Sequence, residues 1–151
     1  NTGTGKTLAF LVPLINRIYL GQLDKVLVLA PTRELVIQIG NEAQSIADKL
    51  DGNISVLPAY GGRDIQSQIR KNMVNIIIAT PGRLLDHINR KSIDISNVDC
   101  LVLDEADQML LMGFRNEIDT IIRNIKNYDQ LLFLSATVDP KVKKLAYMQT
   151  H

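Results

Sequence analysis

Residues 1–7 read Asn1-Thr2-Gly3-Thr4-Gly5-Lys6-Thr7 and stand directly before a long apolar helical pattern. Glycines let the backbone curl so that several N–H groups point at one anion, and the helix that follows adds the positive end of its dipole. In loops of this kind a lysine reaches the β- and γ-phosphates of a nucleotide, and a threonine hydroxyl ligates Mg²⁺. The stretch therefore predicts a phosphate-binding loop with Lys6 and Thr7 at its end. The alternative is a flexible glycine-rich tail.

Beyond this loop, apolar runs of strand length alternate with helical patterns. The predicted strands cover residues 25–30, 54–60, 75–79, 98–103 and 131–134. The predicted helices cover residues 6–20, 33–50, 64–72, 115–125 and 140–148, and one more ends near residue 90. We expect Pro13 to kink or shorten the first helix. Strands that alternate with helices favour right-handed crossovers, so the predicted fold class is α/β, a mostly parallel sheet covered by helices on both faces.

The length of 151 residues predicts one domain, and 46% hydrophobic with 22% charged residues is typical of a globular protein. A net charge of +1 excludes a strongly basic nucleic-acid binder, although a local row of arginines still holds phosphates. Cys100 is the only cysteine, so no internal disulfide forms, and its apolar neighbours predict a buried structural thiol. No apolar run approaches the ~20 residues of a membrane span. These features predict a cytoplasmic protein that does not bind a membrane.

A phosphate-binding loop normally follows a strand of its own, and no strand pattern stands before Asn1. We therefore expect residues 1–151 to form one nucleotide-binding domain that is incomplete at its N-terminus. His87 is expected to be structural or exposed. Three apolar residues are expected to pack in the interior: Met109, Met112 and Phe114.

Each predicted strand ends in a short polar cluster, and ligands of open parallel sheets bind outside the carboxyl ends of the strands. The clusters should therefore share one edge of the sheet with the loop. Asp104 follows the fourth strand, where a carboxylate holds Mg²⁺ opposite the Thr7 hydroxyl. Its neighbour Glu105 is placed to orient or deprotonate an attacking water. The alternative is that both acids only cap the next helix.

Arginines, hydroxyls and glycines follow three other strands, and such groups are the usual contacts to a sugar–phosphate chain. No row of exposed aromatic residues accompanies them, so base stacking should be minor. The alternative is solvated arginines and turn glycines. The residues of these clusters are Thr32, Arg33, Gly61, Gly62, Arg63, Thr80, Gly82 and Arg83. At the last strand, Ser135 and Thr137 either cap a helix or hydrogen-bond Asp107 and so sense the nucleotide.

Six short motifs stand in order along nearly the whole chain, which is far more specific than any one of them. They are Thr-Gly-Thr-Gly-Lys-Thr (2–7), Pro-Thr-Arg-Glu-Leu (31–35), Gly-Gly (61–62), Thr-Pro-Gly-Arg (80–83), Asp-Glu-Ala-Asp (104–107) and Ser-Ala-Thr (135–137). Together they resemble the first RecA-like domain of a DEAD-box ATP-dependent RNA helicase. The resemblance implies the three-layer RecA-like fold of the P-loop NTPases.

The resemblance also implies a role for each motif residue. ATP would be bound by Gly3, Thr4, Gly5, Lys6 and Thr7, and Mg²⁺ by Thr7 and Asp104. Catalysis would rest on Lys6, Asp104 and Glu105. One RNA strand would be held by its backbone, without reading of sequence, through Pro31, Thr32, Arg33, Gly62, Thr80, Pro81, Gly82 and Arg83. Nucleotide state would be coupled to local unwinding through Asp107, Ser135 and Thr137.

Two parts of the family's pattern are missing from these residues: the adenine-reading glutamine motif, and a second RecA-like domain with its arginine finger. We therefore expect the 151-residue chain alone to be inactive, with any ribonucleoprotein partners bound through other regions. Three other hypotheses stay open: a DNA translocase of the same fold, a non-enzymatic binding module, and a P-loop transporter or kinase subunit. The Asp-Glu-Ala-Asp and Pro-Thr-Arg-Glu-Leu motifs favour RNA.

Overall fold

The computed structural model describes residues 4–60, 74–126 and 132–135, with residues 4–6 and 132–135 described by their backbone alone. The helices are α1 (Thr4–Tyr19), α2 (Arg33–Asp48), α3 (Pro81–Asn89), α4 (Ala106–Leu111) and α5 (Arg115–Arg123). The strands are β1 (Val26–Leu29), β2 (Val56–Ala59), β3 (Ile76–Ala79), β4 (Cys100–Leu103) and β5 (Leu132–Ser135). The predicted helices at 64–72 and 140–148 lie outside the described residues.

The strands form one sheet in the order β2-β3-β1-β4-β5, and every neighbouring pair is parallel. The register keeps the strand ends level, because Leu29 lies opposite Ala79 on one side and Leu103 on the other. Ser135 lies opposite Leu103 in turn. The predicted α/β class with a parallel sheet is confirmed. The residues that follow the strands therefore meet along one straight edge.

Each face of the sheet carries its own core, because successive strand residues point to opposite sides. On one face the strand residues pack against α1 and α2: Val26, Val28, Ala30, Val56, Ile76, Ile78, Cys100 and Val102. On the other they pack against α3, α4 and α5: Leu27, Leu29, Leu57, Ala59, Ala79, Leu101 and Leu103. All four residues of β1 and all four of β4 are apolar and buried, which explains why these strands form continuous apolar runs in the sequence. The three-layer architecture is confirmed.

Pro13 lies inside α1. Of the two expected outcomes, a kink or a shorter helix, the shorter helix is excluded because α1 runs from Thr4 to Tyr19. Proline removes the hydrogen bond to the carbonyl four residues earlier, which here is that of Ala9. Both Pro13 and Ala9 are exposed, so water reaches this turn of the helix. The buried residues of α1 lie on the opposite side, where Leu11, Leu14, Ile15 and Ile18 reach the core.

The helix α4 was not predicted, since residues 104–107 were interpreted as a polar loop. Asp107 lies in its first turn. Arg33 begins α2 as predicted, whereas Pro81, Gly82 and Arg83 form the first turn of α3 rather than a loop before it. Met109 is buried as expected, but the prediction for Met112 is wrong because 45% of it is exposed at the end of α4.

The expected structural roles of two isolated side chains agree with their burial. Cys100 is fully buried within β4, and burial raises the pKa of its thiol to about 12, so it stays a neutral packing group. His87 in α3 is also buried. Within the described ranges, no helix combines the length and the apolar character that crossing a membrane requires.

Candidate nucleotide and nucleic-acid site

The predicted phosphate loop leads into the N-terminal turn of α1, which begins at Thr4. The first four N–H groups of any α-helix have no acceptor within the helix, and here they belong to Thr4, Gly5, Lys6 and Thr7. No acidic residue stands in this turn to compensate the helix dipole. The turn is therefore suited to an anion. Gly3 lies outside the described residues, and the side chain of Lys6 is not described.

The direction of α1 places this turn at the carboxyl edge of the sheet. Its far end lies at the amino edge, because only residues 20–25 separate it from β1. There the Tyr19 ring packs so closely on Gly52, just before β2, that a Cβ at Gly52 would lie 2.9 Å from its Cδ1. A 16-residue helix spans roughly 24 Å, which is longer than these strands, so the opposite end of α1 reaches the strand tips.

Thr7 and Asp104 occupy the same face and the same edge. The Asp104 N–H donates to the Leu29 carbonyl at 2.9 Å, so the ladder between β1 and β4 continues one residue beyond β4. By strand alternation Asp104 then shares the face of Cys100 and Val102, which α1 covers. Only 2% of Thr7 and 4% of Asp104 is exposed. A buried hydroxyl and a buried carboxylate therefore lie under the first turn of α1.

This donor set fits Mg²⁺. Magnesium prefers oxygen ligands, keeps several waters, and is usually held by one or two carboxylates together with substrate phosphates. Thr7 and Asp104 offer one hydroxyl and one carboxylate. In the part of the chain that the structure describes, no three His, Cys, Asp or Glu side chains come together as a metal cage. The residues present thus suit a cation that arrives with a nucleotide.

Glu105 adopts a left-handed backbone conformation, with φ 55° and ψ 49°. Such a conformation at a residue with a side chain costs about 1–3 kcal/mol and is concentrated at functional sites. Glu105 occupies the N-cap position of α4, yet its side chain makes no capping hydrogen bond. This weighs against the alternative that Glu105 serves only as a cap. Sequence reasoning missed the strain, because no residue pattern marks a left-handed glutamate.

The residues predicted to couple the nucleotide to the rest of the molecule lie around Asp104 as far as they are described. Asp107 is half-buried in the first turn of α4. Ser135 is the last residue of β5 rather than part of a loop after it, and it lies opposite Leu103, one residue before Asp104. Thr137 lies outside the described residues. The backbones of Asp107 and Ser135 therefore flank the Asp104 position from two elements.

The end of β1 leads directly into α2. The exposed Thr32 caps this helix, since its Oγ1 accepts a hydrogen bond from the Leu35 N–H at 3.1 Å. Pro31 is buried, whereas Arg33 is exposed. The Arg33 guanidinium carbon lies 5.3 Å from the centroid of the Tyr60 ring. The capping bond engages the Thr32 hydroxyl, and Arg33 is the exposed cation beside it.

The end of β3 leads into α3 through an uncapped helix start. Thr80 occupies the N-cap position without a side-chain capping bond, and Pro81 follows with no N–H of its own. Gly82 is exposed, and a Cβ built there would meet no atom within 4 Å. Arg83 is exposed and lies 3.8 Å from the Asp86 carboxylate. Free N–H groups and an arginine at one helix start form a suitable contact for a phosphate.

The sheet order divides the edge into two halves. Because the register is level, the tips of β2, β3, β1 and β4 are followed in that order by Tyr60, Thr80, Ala30 and Asp104, with neighbours about 4.8 Å apart along the edge. Asp104 thus lies at the tip of β4, whereas the described candidates for RNA follow β1 and β3. Three further candidates for RNA, Gly61, Gly62 and Arg63, lie outside the described residues.

Comparison with known proteins identifies a family for the chain. The family model for the DEAD/DEAH box helicase matches residues 1–145. The chain is 49% identical over 148 residues to the DEAD-box ATP-dependent RNA helicase CshA of Bacillus subtilis, with 96% of this chain and 30% of CshA aligned. It is 43% identical over 153 residues to the ATP-dependent RNA helicase CshA of Listeria monocytogenes, with 99% of this chain and 29% of that protein aligned.

Solved structures show the same similarity. A DEAD box protein from Methanococcus jannaschii superposes with a TM-score of 0.77 at 40% identity, over 97% of this chain and 40% of that one. A hypothetical ATP-dependent RNA helicase from Sulfolobus tokodaii gives 0.76 at 35% identity, over 98% of this chain and 43% of that one. This chain spans about 30% of the length of the CshA relatives from Bacillus. The family match and the site together show that the chain belongs to the DEAD/DEAH box helicase family.

Proposed function

We propose that the chain is the ATP-binding half of an ATP-dependent RNA helicase, which binds ATP with Mg²⁺, holds single-stranded RNA by its backbone, and couples hydrolysis to local unwinding of a duplex. One observation carries the proposal: Thr7, in the first turn of α1, and Asp104, directly after β4, are both buried on the same side of the sheet toward its carboxyl edge. The names of the relatives, which are ATP-dependent RNA helicases, support the choice of ATP and RNA.

In this proposal the N-terminal N–H groups of α1 and the Lys6 ammonium bind the phosphates of ATP. Thr7 and Asp104 would hold Mg²⁺, which neutralises charge on the β- and γ-phosphate oxygens when it is bound. Glu105 orients the attacking water and accepts its proton. The backbone of Asp104 is held to β1 by its N–H, so the fold fixes the position from which the carboxylate extends.

RNA is held on the other half of the edge. The N–H groups at the start of α3 and the guanidinium groups of Arg33 and Arg83 contact phosphates, helped by the other motif residues there, which are Pro31, Thr32, Gly62, Thr80, Pro81 and Gly82. Phosphate contacts fix the position of a strand but carry no sequence information, so binding is independent of sequence. Asp107, Ser135 and Thr137 transmit the state of the nucleotide, since two of them flank the Asp104 position.

The test is the substitution Glu105→Gln in the full-length protein. Loss of the general base should lower RNA-stimulated ATP hydrolysis by about 10²–10⁴-fold, while ATP affinity stays within about twofold of the wild type. Phosphate release and binding of a fluorescent ATP analogue measure the two quantities. Hydrolysis at the wild-type rate in this variant would show that Glu105 is not the base, and loss of ATP binding would show that its role is structural.

The nature of the nucleic acid is tested in the same assay. RNA and DNA strands of identical sequence are compared as activators of hydrolysis by the wild-type protein. Stimulation by RNA alone supports the proposal. Equal or greater stimulation by DNA would favour the DNA translocase hypothesis instead.

A further inference from the structure

Arg33, the first residue of α2, contacts the ring of Tyr60, which follows β2. The guanidinium carbon lies 5.3 Å from the centroid of the tyrosine ring, within the range of a cation–π contact. Because α2 packs on β2 and β3, the contact joins the start of this helix to the end of β2 on one face of the sheet.

The fold restricts the position of the Tyr60 ring. Tyr60 is half-buried and packs against the core on the α1 and α2 side of the sheet. It directly follows β2, whose Ala59 is paired with Ala79 of β3, so its backbone is held by the sheet. A tyrosine has few rotatable bonds, and a ring that packs on one side loses little further freedom when it contacts an arginine on the other.

The contact leaves the charge of Arg33 available. Among the described residues Arg33 forms no ion pair, whereas Arg83 at the neighbouring helix start lies 3.8 Å from the Asp86 carboxylate. A carboxylate neutralises the arginine that it orients. An aromatic ring attracts the cation through its quadrupole and carries no net charge. Arg33 therefore has a contact that orients it, while no carboxylate of the described residues pairs with its charge.

We infer that Tyr60 is a positioning residue for RNA binding, which holds the Arg33 guanidinium in the orientation that contacts a phosphate at the β2–β3–β1 half of the edge. The inference rests on the proposed function, in which Arg33 binds the RNA backbone. It extends that function by assigning a role to an aromatic residue that lies outside the arginine, hydroxyl and glycine set. It also gives the ring a function that requires no stacking on a base.

The experiment measures the affinity of the full-length protein for a fluorescent single-stranded oligouridine, with a non-hydrolysable ATP analogue present. Tyr60→Leu should weaken binding about two- to fivefold, which corresponds to the usual strength of an exposed cation–π contact. Tyr60→Phe keeps the ring and should bind as the wild type does. In an Arg33→Ala background, Tyr60→Leu should have no further effect, because the group that it positions is gone.

The salt dependence separates positioning from general damage to the fold. Each phosphate contact to a single strand contributes about 0.7 to the slope of log Kd against log salt concentration. Arg33→Ala should lower this slope by about that amount, and Tyr60→Leu should lower it by a part of it. A variant that is merely less stable would lose active protein at an unchanged slope.

The outcomes distinguish the inference from the proposed function. If Arg33→Ala weakens binding and Tyr60→Leu does not, the inference is overturned while the proposed RNA site stands. If Tyr60→Leu weakens binding equally in the wild-type and Arg33→Ala backgrounds, the ring contacts RNA directly and the inference is also overturned. If Arg33→Ala binds as tightly as the wild type, the proposed role of Arg33 fails, and the inference fails with it.

Discussion

Glu105 carries the most informative backbone angle of the described residues, since it is a glutamate held at φ 55°. The left-handed conformation costs a residue that has a Cβ about 1–2 kcal/mol of conformational energy, whereas glycine has no such cost. The fold maintains the strain from both sides: Asp104 is bonded to β1 through its N–H, and the Glu105 carbonyl accepts from the Met109 N–H at 3.0 Å. A strained glutamate at this position is explained if its carboxylate has a role in the site.

The strain predicts an unusual order of stability for two substitutions of Glu105. Glu105→Gly should be more stable than Glu105→Ala by about 1 kcal/mol, because only alanine keeps the Cβ that is strained there. At an ordinary helical position the order is reversed, since glycine is the less stable by about 0.5–1 kcal/mol. Urea denaturation of both variants measures the difference. An alanine variant as stable as the glycine variant would contradict the strained backbone.

His87 is a buried histidine whose surroundings favour its neutral form. Its Nδ1 lies 2.9 Å from the Ser92 Oγ, and that hydroxyl donates to the His87 carbonyl at 3.1 Å. Nδ1 therefore carries the ring proton, and the buried Nε2 has no hydrogen-bond partner within the described structure. Burial lowers the pKa of His87 from its ordinary 6.5; nearby Asp86 raises it, while Arg83 and Arg90 lower it further.

This lowered pKa predicts a loss of stability in acid. Below pH 6.5 the unfolded chain binds a proton at His87 while the folded chain does not. The free energy of unfolding therefore decreases as the pH is lowered, until the folded-state pKa of His87 is reached. Urea denaturation at pH 7.5 and pH 5.5 measures the loss, and His87→Gln, which cannot titrate, is the matched control. The control should lose less stability than the wild type. Equal losses in both proteins would contradict the prediction.

At the scale of elements, the start of α3 is the feature with the clearest consequence. It has no side-chain cap, no acidic residue in its first turn, and open space around Gly82. A helix N-terminus without a cap is less stable than a capped one by about 0.5–2 kcal/mol. The open N–H groups are understandable if an anion takes the place of the cap.

Gly82→Asp should therefore separate stability from RNA binding. A carboxylate at this position complements the helix dipole and should stabilise the fold by about 0.3–1 kcal/mol. The same charge repels a phosphate and should weaken RNA affinity by about tenfold or more. The neutral isostere Gly82→Asn is the control, and it should bind RNA more tightly than the aspartate variant. Equal weakening by both variants would indicate a steric effect, and no weakening by either would exclude a phosphate at α3.

The elements differ in how well the sequence predicts them. The strands are predictable because β1 and β4 are buried on both faces and consist entirely of Val, Leu and Cys. The helix α4 is not, because six residues are too few to show a helical period and its start depends on the left-handed Glu105. The continuity of α1 through Pro13 depends on exposure to solvent, which the sequence does not state.

At the scale of the whole molecule, the parallel sheet accounts for the site. The motif residues that the structure describes are spread from Thr4 to Ser135 along the chain. Because the strands end at the same level, the motif residues at the strand tips lie together on one edge of the sheet. The sequence predicts this gathering because each strand of a parallel sheet is followed by a polar cluster. It does not predict which motifs become neighbours, because that depends on the order β2-β3-β1-β4-β5, and this order separates the nucleotide half from the RNA half.

The contact between Arg33 and Tyr60 shows the same limit. Their strands are not neighbours in the sheet, and nothing in their spacing along the chain relates them. The prediction that base stacking is minor considered aromatic residues only as platforms for bases. In the structure the Tyr60 ring contacts an arginine of the protein itself.

The central claim is that Thr7 and Asp104 share one metal–nucleotide complex with Lys6. The most direct measurement is a crystal structure of the full-length protein with a non-hydrolysable ATP analogue and Mn²⁺, located by its anomalous scattering. The account predicts one ion about 2.1 Å from the Thr7 Oγ1, the Asp104 carboxylate within one water of it, and the Lys6 amine on the same triphosphate. Two results would contradict the account. One is a Lys6 amine and an Asp104 carboxylate that lie too far apart to contact one triphosphate, and the other is an ion bound away from both Thr7 and Asp104.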